Sequence, residues 1–268
     1  MLTADRRLET QRLLRLHGEL EYAWLAEHFG VSEMTARRDV EALEAAGEAR
    51  RVRGGAISVV SRGYEPSVSE RESVGPLAKD RISAAAAGML RPGDTLFLDS
   101  GTTANVFASH LAALDMDLLV VTPNLRAALT LSDATNTRVI VTGGLVRRQE
   151  RSLVGADAER TLQQYNVDTA FVGAAGVHPE RGLTDYGLDE SAVKRIAIAR
   201  ATRVVVLADH SKLGRISLCE ICPSSEIDVL VTDAPVDDPV VRELHAGGTE
   251  IVTVHQPRDP ADHAGAPH

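Results

Sequence analysis

VSEMTARRDVEALEAAGEARRVRGGA, residues 31–56, reads as one helix of about four turns followed by a short two-stranded ribbon. Ser32 stands where a hydroxyl can accept from a free N–H of the first helical turn, and Gly47 stands where a left-handed residue ends the last. Ala36, Val40 and Leu43 recur at helical spacing as an apolar seam, while Thr35, Arg37, Arg38 and Glu41 fall on other faces. The seam can pack and leave the arginines outside. Past the helix, Arg50, Arg51 and Arg53 run into Gly54-Gly55, which suits a ribbon with a tight turn. A helix and a ribbon that both carry arginine make a grip for a nucleic-acid duplex.

Upstream, Thr3 to His17 reads as a helix with apolar Leu8, Leu13, Leu14 and Leu16, ending near Gly18. A shorter helix covers Tyr22 to His28, with Leu25, Ala26 and Phe29 turned inward, and Gly30 makes a turn before Val31. This is the helix-turn-helix order, in which the later helix enters the major groove, and the Arg50 to Gly55 ribbon is its wing. The run V-S-x-x-T-x-R-R-D-x-x-x-L-x-x-x-G followed by R-x-x-G-G-A resembles the DNA-binding signature of the DeoR family of bacterial transcription regulators. It departs from that family's pattern at Trp24, Ala36, Glu48, Ala49 and Arg53. The resemblance implies that Ser32, Thr35, Arg37, Arg38 and Arg53 lie on or beside the recognition surface; Arg51 joins them as a wing residue.

The 268 residues suit two domains, and with 44% apolar but only 3% aromatic content the core is expected to be aliphatic. A net charge of −9 argues against general nucleic-acid affinity, so any DNA contact must be local. Residues 1–56 hold nine Arg against ten Asp plus Glu, yet five of the nine lie between Arg37 and Arg53. That clustering is the local footprint required. No apolar run approaches the ~20 residues of a membrane span, and MLTADRRLETQRLL lacks the apolar core of a secretory signal, so a cytoplasmic protein with no membrane partner is expected. Cys219 and Cys222 form a lone C-x-x-C with no second Cys or His pair to complete a zinc site, and Pro223 follows directly. They read as packing or surface residues, and no metal or cofactor is expected.

Residues 57–76 carry Gly, Pro, Ser and charge and read as a linker. A helix from Leu77 to Leu90 follows, then strand signals alternate with helices: TLFLD, LLVVT, RVIVTGG, TAFVG, RVVVLAD, VLVTD and EIVTV. Such aliphatic runs indicate a mostly parallel sheet covered on both faces, occupying residues 77–256, with 257–268 as a mobile tail. The fold class is therefore α/β: a winged helix-turn-helix in residues 1–56 joined to a larger α/β domain.

The site expected in the second domain is Asp99-Ser100-Gly101-Thr102-Thr103, where a strand ends and a helix begins. Strand ends and helix starts gather ligands, and the free N–H groups and hydroxyls here suit a phosphate; the alternative is that Ser and Thr merely cap the helix. Asn124, Gly144 with Arg147, and the Gly173 to Gly176 loop fall at the same edge. Glu190 and Lys194, four apart on a helix, read from spacing as a surface ion pair, and Asp209 with Lys212 ends another strand, where a lysine can balance a phosphate.

DSGTT, VTPNL, VTGG, SLVG, D-x-A-F-x-G-A-x-G from Asp168 to Gly176, GLT from Gly182, E-x-x-x-K-R and A-D-x-S-K-x-G, in that order, resemble the effector domain of the same family. That domain is similar in fold to ribose-5-phosphate isomerase, glucosamine-6-phosphate deaminase and coenzyme A transferase. The resemblance implies a phosphorylated sugar as effector, a repressor of carbohydrate genes, and a pocket at Ser100, Gly101, Thr102, Thr103, Gly144, Lys194 and Lys212, with Asp99 and Glu190 behind them. A single helix-turn-helix contacts little DNA, so a homodimer or homotetramer on double-stranded operator is expected. The competing class is a sugar-phosphate isomerase or deaminase using Asp99, Asp185, Asp189, Glu190 or Asp209 as base.

Overall fold

The computed structural model describes residues 2–46, 48–58, 65–114 and 116–254. Gly47, expected to stop the recognition helix, and the tail from Pro257 lie outside them, as does 59–64 of the segment read as linker. The chain divides into two compact units, Met1–Val74 and Gly75–His268. Among the described residues no helix is long and apolar enough to cross a membrane.

In the first unit α1 (Thr3–His17), β1 (Glu19–Glu21), α2 (Tyr22–Phe29), α3 (Glu33–Ala45), β2 (Ala49–Val52) and β3 (Gly55–Ser58) enclose a small core, and α4 (Val68–Ser73) follows. Leu13, Leu14, Leu25, Val40 and Leu43 form that core, whereas Leu8 is 68% exposed on the outer side of α1. Gly30 turns the chain between α2 and α3 with φ +62°. The wing is a three-stranded sheet in the order β1-β3-β2, one strand more than the ribbon expected. Gly55 is required there: a Cβ would stand 2.2 Å from the Leu20 carbonyl oxygen on β1. Ala36 and Ala49, two of the positions that depart from the resemblance, are both buried. Inside the expected linker, Ser67 and Glu70 form a capping box that starts α4, a helix start that the mixed composition disguises.

The second unit consists of α5 (Pro76–Ala87), β4 (Thr95–Leu98), α6 (Thr102–Ala113), β5 (Leu118–Thr122), α7 (Leu125–Ser132), β6 (Thr137–Val141), β7 (Leu145–Arg147), β8 (Ser152–Val154), α8 (Ala156–Leu162), β9 (Val167–Gly173), β10 (Gly176–His178), β11 (Gly182–Asp185), α9 (Leu188–Ala199), β12 (Ala201–Leu207), β13 (Cys219–Cys222), β14 (Val229–Thr232), α10 (Pro239–Ala246) and β15 (Glu250–Thr253). Seven strands pair in parallel in the order β15-β14-β12-β9-β4-β5-β6. Strand alternation splits the core in two. Leu96, Leu98, Phe171 and Val205 meet α5, α6 and α7 on one face, and Phe97, Ala170, Val172 and Val206 meet α8, α9 and α10 on the other. A separate antiparallel sheet, β10-β11-β13, holds both cysteines. Both are buried and free, and a β-bulge between Leu183 and Thr184 interrupts the register opposite them.

From β4 the strand order runs one way through β5 and β6 and the other way through β9, β12, β14 and β15. The order therefore reverses between β4 and β9, and in open α/β sheets the crevice at the carboxyl ends of such a pair receives ligands.

Candidate functional site

On the first unit, α3 is held by its own ends. The Thr35 N–H donates to Ser32 Oγ at 3.2 Å, and the two hydroxyls lie 2.9 Å apart, so both side chains also serve the helix start. Arg37 lies over the Tyr22 ring, 5.1 Å from its centroid, while Arg38 is exposed. Asp39 stands on the packed face and is buried between Arg6 Nε (2.5 Å) and Arg7 Nε (3.0 Å) of α1. It completes the R-R-D run as a structural residue, and its place among Ala36, Val40 and Leu43 at helical spacing is the signal that reveals this.

Arg51, expected as a DNA contact, is turned back onto α3. Its Nε is 2.5 Å from Glu44 Oε2, its backbone N–H donates to Glu44 Oε1 at 2.9 Å, and Nη1 is 2.9 Å from Glu41 Oε1. Two carboxylates offset its charge, so it braces the wing against the helix. Arg53 sits with Gly54 in the two-residue turn between Val52 and Gly55 and is exposed at the wing tip.

On the second unit, Asp99 directly follows β4 and Gly173 ends β9, so both flank the reversal point. The Gly173 N–H donates to Asp99 Oδ2 at 2.9 Å. Lys194 of α9 reaches the same place: its Nζ lies 2.8 Å from Asp99 Oδ2, 2.7 Å from Asp185 Oδ2 and 3.0 Å from the Gly173 carbonyl oxygen. Three acceptors match the three protons of an ammonium. Glu190, one turn earlier on α9, accepts from Ser152 Oγ at 2.7 Å and pairs with Arg147. Glu190 and Lys194 are thus not the surface i,i+4 pair their spacing suggests; both are buried, and each is bonded to other elements.

Burial sets the electrostatics of this cluster. It raises the Asp99 carboxyl above the ordinary range, against the pull of Lys194. Desolvation works to lower Lys194, but the carboxylates of Asp185, Asp99 and Glu190 outweigh it and hold the ammonium above its ordinary value. Glu190 is pushed up to about 7 by burial, opposed by Lys194, Ser152 and Arg147. The cluster carries a fixed cation and a carboxyl that titrates near neutrality.

Beside it, α6 begins at Gly101, whose φ is +111°, and no side chain caps its first turn. Ser100, Thr102 and Thr103 therefore do not spend themselves as caps, and the first N–H groups of the helix stay available to an anion. Asn124 is buried, and both ends of its amide are committed: Oδ1 accepts from the Arg126 and Ala127 N–H groups, and Nδ2 donates to the Asp99 carbonyl oxygen (3.3 Å) and to Asn105 Oδ1 (2.9 Å). It brackets the strand ends. Gly144 has φ +111°, and a Cβ there would stand 2.6 Å from the Val154 carbonyl oxygen, so its glycine is explained by the hairpin β7–β8. That hairpin bridges back to Asn124 through Ser152 and to α9 through Glu190, crossing the strand ends. Lys212 lies in the short turn after β12, whose start Asp209 caps through the Ser211 N–H at 2.9 Å. Ser152 was not singled out from sequence; within SLVG it has no distinguishing neighbour.

A model of the DeoR-like helix-turn-helix domain matches residues 6–62, and a model of the DeoR C terminal sensor domain matches residues 76–234. The HTH-type transcriptional repressor GlcR of Bacillus subtilis (strain 168) is 32% identical over 256 residues, 96% of this chain and 98% of that one. The HTH-type transcriptional regulator GlpR of Haloferax volcanii is 34% identical over 252 residues, 94% of this chain and 98% of that one. Among solved structures, ribose 5-phosphate isomerase A of Methanocaldococcus jannaschii is 21% identical, with a TM-score of 0.38 over 50% of this chain and 53% of that one.

Proposed function

The chain belongs to the DeoR family of transcriptional regulators, and we propose that within it this protein is a repressor whose grip on operator DNA is controlled by a phosphorylated sugar. Residues 1–56 form the DNA-binding domain of this reading, and residues 77–256 the effector domain. Ser32, Thr35, Arg37, Arg38 and Arg53 are the DNA contacts, with Arg51 positioning the wing. Two copies, as a homodimer or within a homotetramer, read half-sites about one helical turn apart. A chain that reads genomic DNA works in the cytoplasm.

The observation that carries the effector reading is the uncapped start of α6 beside the Lys194 cluster, at the point where strand order reverses. The phosphate is received by the N–H groups and hydroxyls of Ser100 to Thr103, with Lys212 as the nearby cation. Glu190 and Asp99 meet sugar hydroxyls, while Lys194 fixes the two aspartates and Asn124 and Gly144 hold the frame. Regulation then requires that the sugar phosphate bind the DNA-competent and incompetent states unequally. The test is calorimetric titration of the full chain with a panel of phosphorylated sugars, the matching free sugars and inorganic phosphate, followed by mobility shift on the promoter beside its own gene. Binding that needs both sugar and phosphate, with release of DNA, supports the reading; indifference to the whole panel removes it.

A further inference from the structure

We propose that Met34 reads the 5-methyl group of a thymine in the major groove and is a specificity-determining residue of this regulator. The proposal rests on the DNA-reading role of α3 and adds what that helix reads. At about 100° per residue, Met34 and Arg38 fall on the side of α3 opposite the buried seam of Ala36, Val40 and Leu43. The other long side chains near that pole are engaged: Arg37 lies over Tyr22, and Glu41 holds Arg51. Ser32 and Thr35 bond to each other. The centre of that pole is therefore formed by Arg38 and Met34, with Ser32, Thr35 and Arg37 as contacts at its flanks.

Met34 is 60% exposed, whereas the other large apolar side chains of α3, Val40 and Leu43, are buried. A single exposed apolar residue is ordinary on a surface, but this one sits where residues near the start of a recognition helix meet base edges. The major groove has one apolar feature, the thymine methyl. An unbranched, polarisable thioether adapts to it, and Arg38 one turn on supplies the guanidinium that recognises a guanine edge.

The experiment selects a duplex from a random-sequence library with the full chain, then replaces each thymine in turn by uracil, which lacks only the methyl. One thymine per half-site should weaken wild-type binding by about fourfold when replaced, the worth of one buried methyl-sized group. Met34→Ala should bind thymine and uracil duplexes alike, and Met34→Leu should restore the difference. An unchanged thymine-to-uracil penalty in Met34→Ala, or no thymine that matters to the wild type, overturns the assignment to Met34 while leaving DNA reading intact. A wild-type chain that enriches no sequence at all overturns both.

Discussion

Replacing Lys194 by Met should cost the second unit more stability than any other single change at its candidate site. The substitution keeps the length of the side chain but leaves Asp99, 1% exposed, and Asp185, 6% exposed, without the cation that both bond at under 3 Å. Removing one partner of a buried ion pair costs about 3–5 kcal/mol because the other charge is stranded. For a unit of this size, at about 2–4 °C per kcal/mol, the transition seen by calorimetry should fall by roughly 10 °C. The pH dependence identifies the cause. Burial raises Asp99, and with Lys194 gone only the Gly173 N–H is left to oppose it, so the folded mutant binds protons that the unfolded chain releases. Its stability must therefore fall as pH rises above the ordinary aspartate range, and the gap to wild type must narrow on acidification toward about pH 5. Adding Asp99→Asn to Lys194→Met should recover part of the loss, since the two sites are coupled. A Lys194→Met protein that melts within about 1 °C of wild type at pH 7, or a gap that does not change with pH, would refute the buried-cluster assignment and return Lys194 to the role of a solvated ligand contact.

Arg38→Ala should abolish or strongly weaken operator binding in a mobility-shift assay with little change in melting, because Arg38 is exposed; unchanged affinity would take it out of the interface. Asp39→Ala should do the reverse, destabilising the first unit by about 3 kcal/mol or more through the stranded Arg6, and a native-like melt would contradict that. Thr102→Arg should block the response to the effector while leaving DNA binding intact, and a normal response would place the ligand elsewhere. Glu190 is held near 7, well above its ordinary 4.5, so the folded chain keeps a proton there that the unfolded chain gives up. Stability should therefore decline as pH rises from about 4.5 to 7, and Glu190→Gln should flatten that part of the urea-midpoint profile; an unaltered slope would mean the carboxyl is charged in the fold.

The helix from Ser32 and the alternating strands were legible because each signal is local: a cap, a seam at helical spacing, runs of Val, Ile and Leu between turns. The strand β1 was not, since ELE has little strand propensity and is paired only because β3 can lie against it at Gly55. The carboxyl-edge loops were placed correctly at strand ends, and DSGTT does start a helix. What spacing could not give was partnership. Glu190 and Lys194 look like a surface pair at four residues' separation, and only the fold brings Asp99 and Asp185 to the lysine and Ser152 to the glutamate. Arg51 likewise looks free in sequence, because its partners Glu41 and Glu44 lie across the turn between α3 and the wing. Both errors have one origin: a charge's environment is a tertiary property.

The pairing of β4 with β9, Leu96 beside Thr169, bears on how the protein comes into being on the ribosome. The core of the winged helix-turn-helix is complete in sequence by Ala56, ahead of α4. The crevice is different. Asp99 emerges long before Gly173, Asp185 and Lys194, so its carboxyl lacks its backbone donor until β9 is made and its cation until α9 is made. Domains fold as units during synthesis, N-terminal first, and parallel pairings of distant strands close slowly. A newborn chain thus has a finished helix-turn-helix core before it has the crevice at the reversal of strand order.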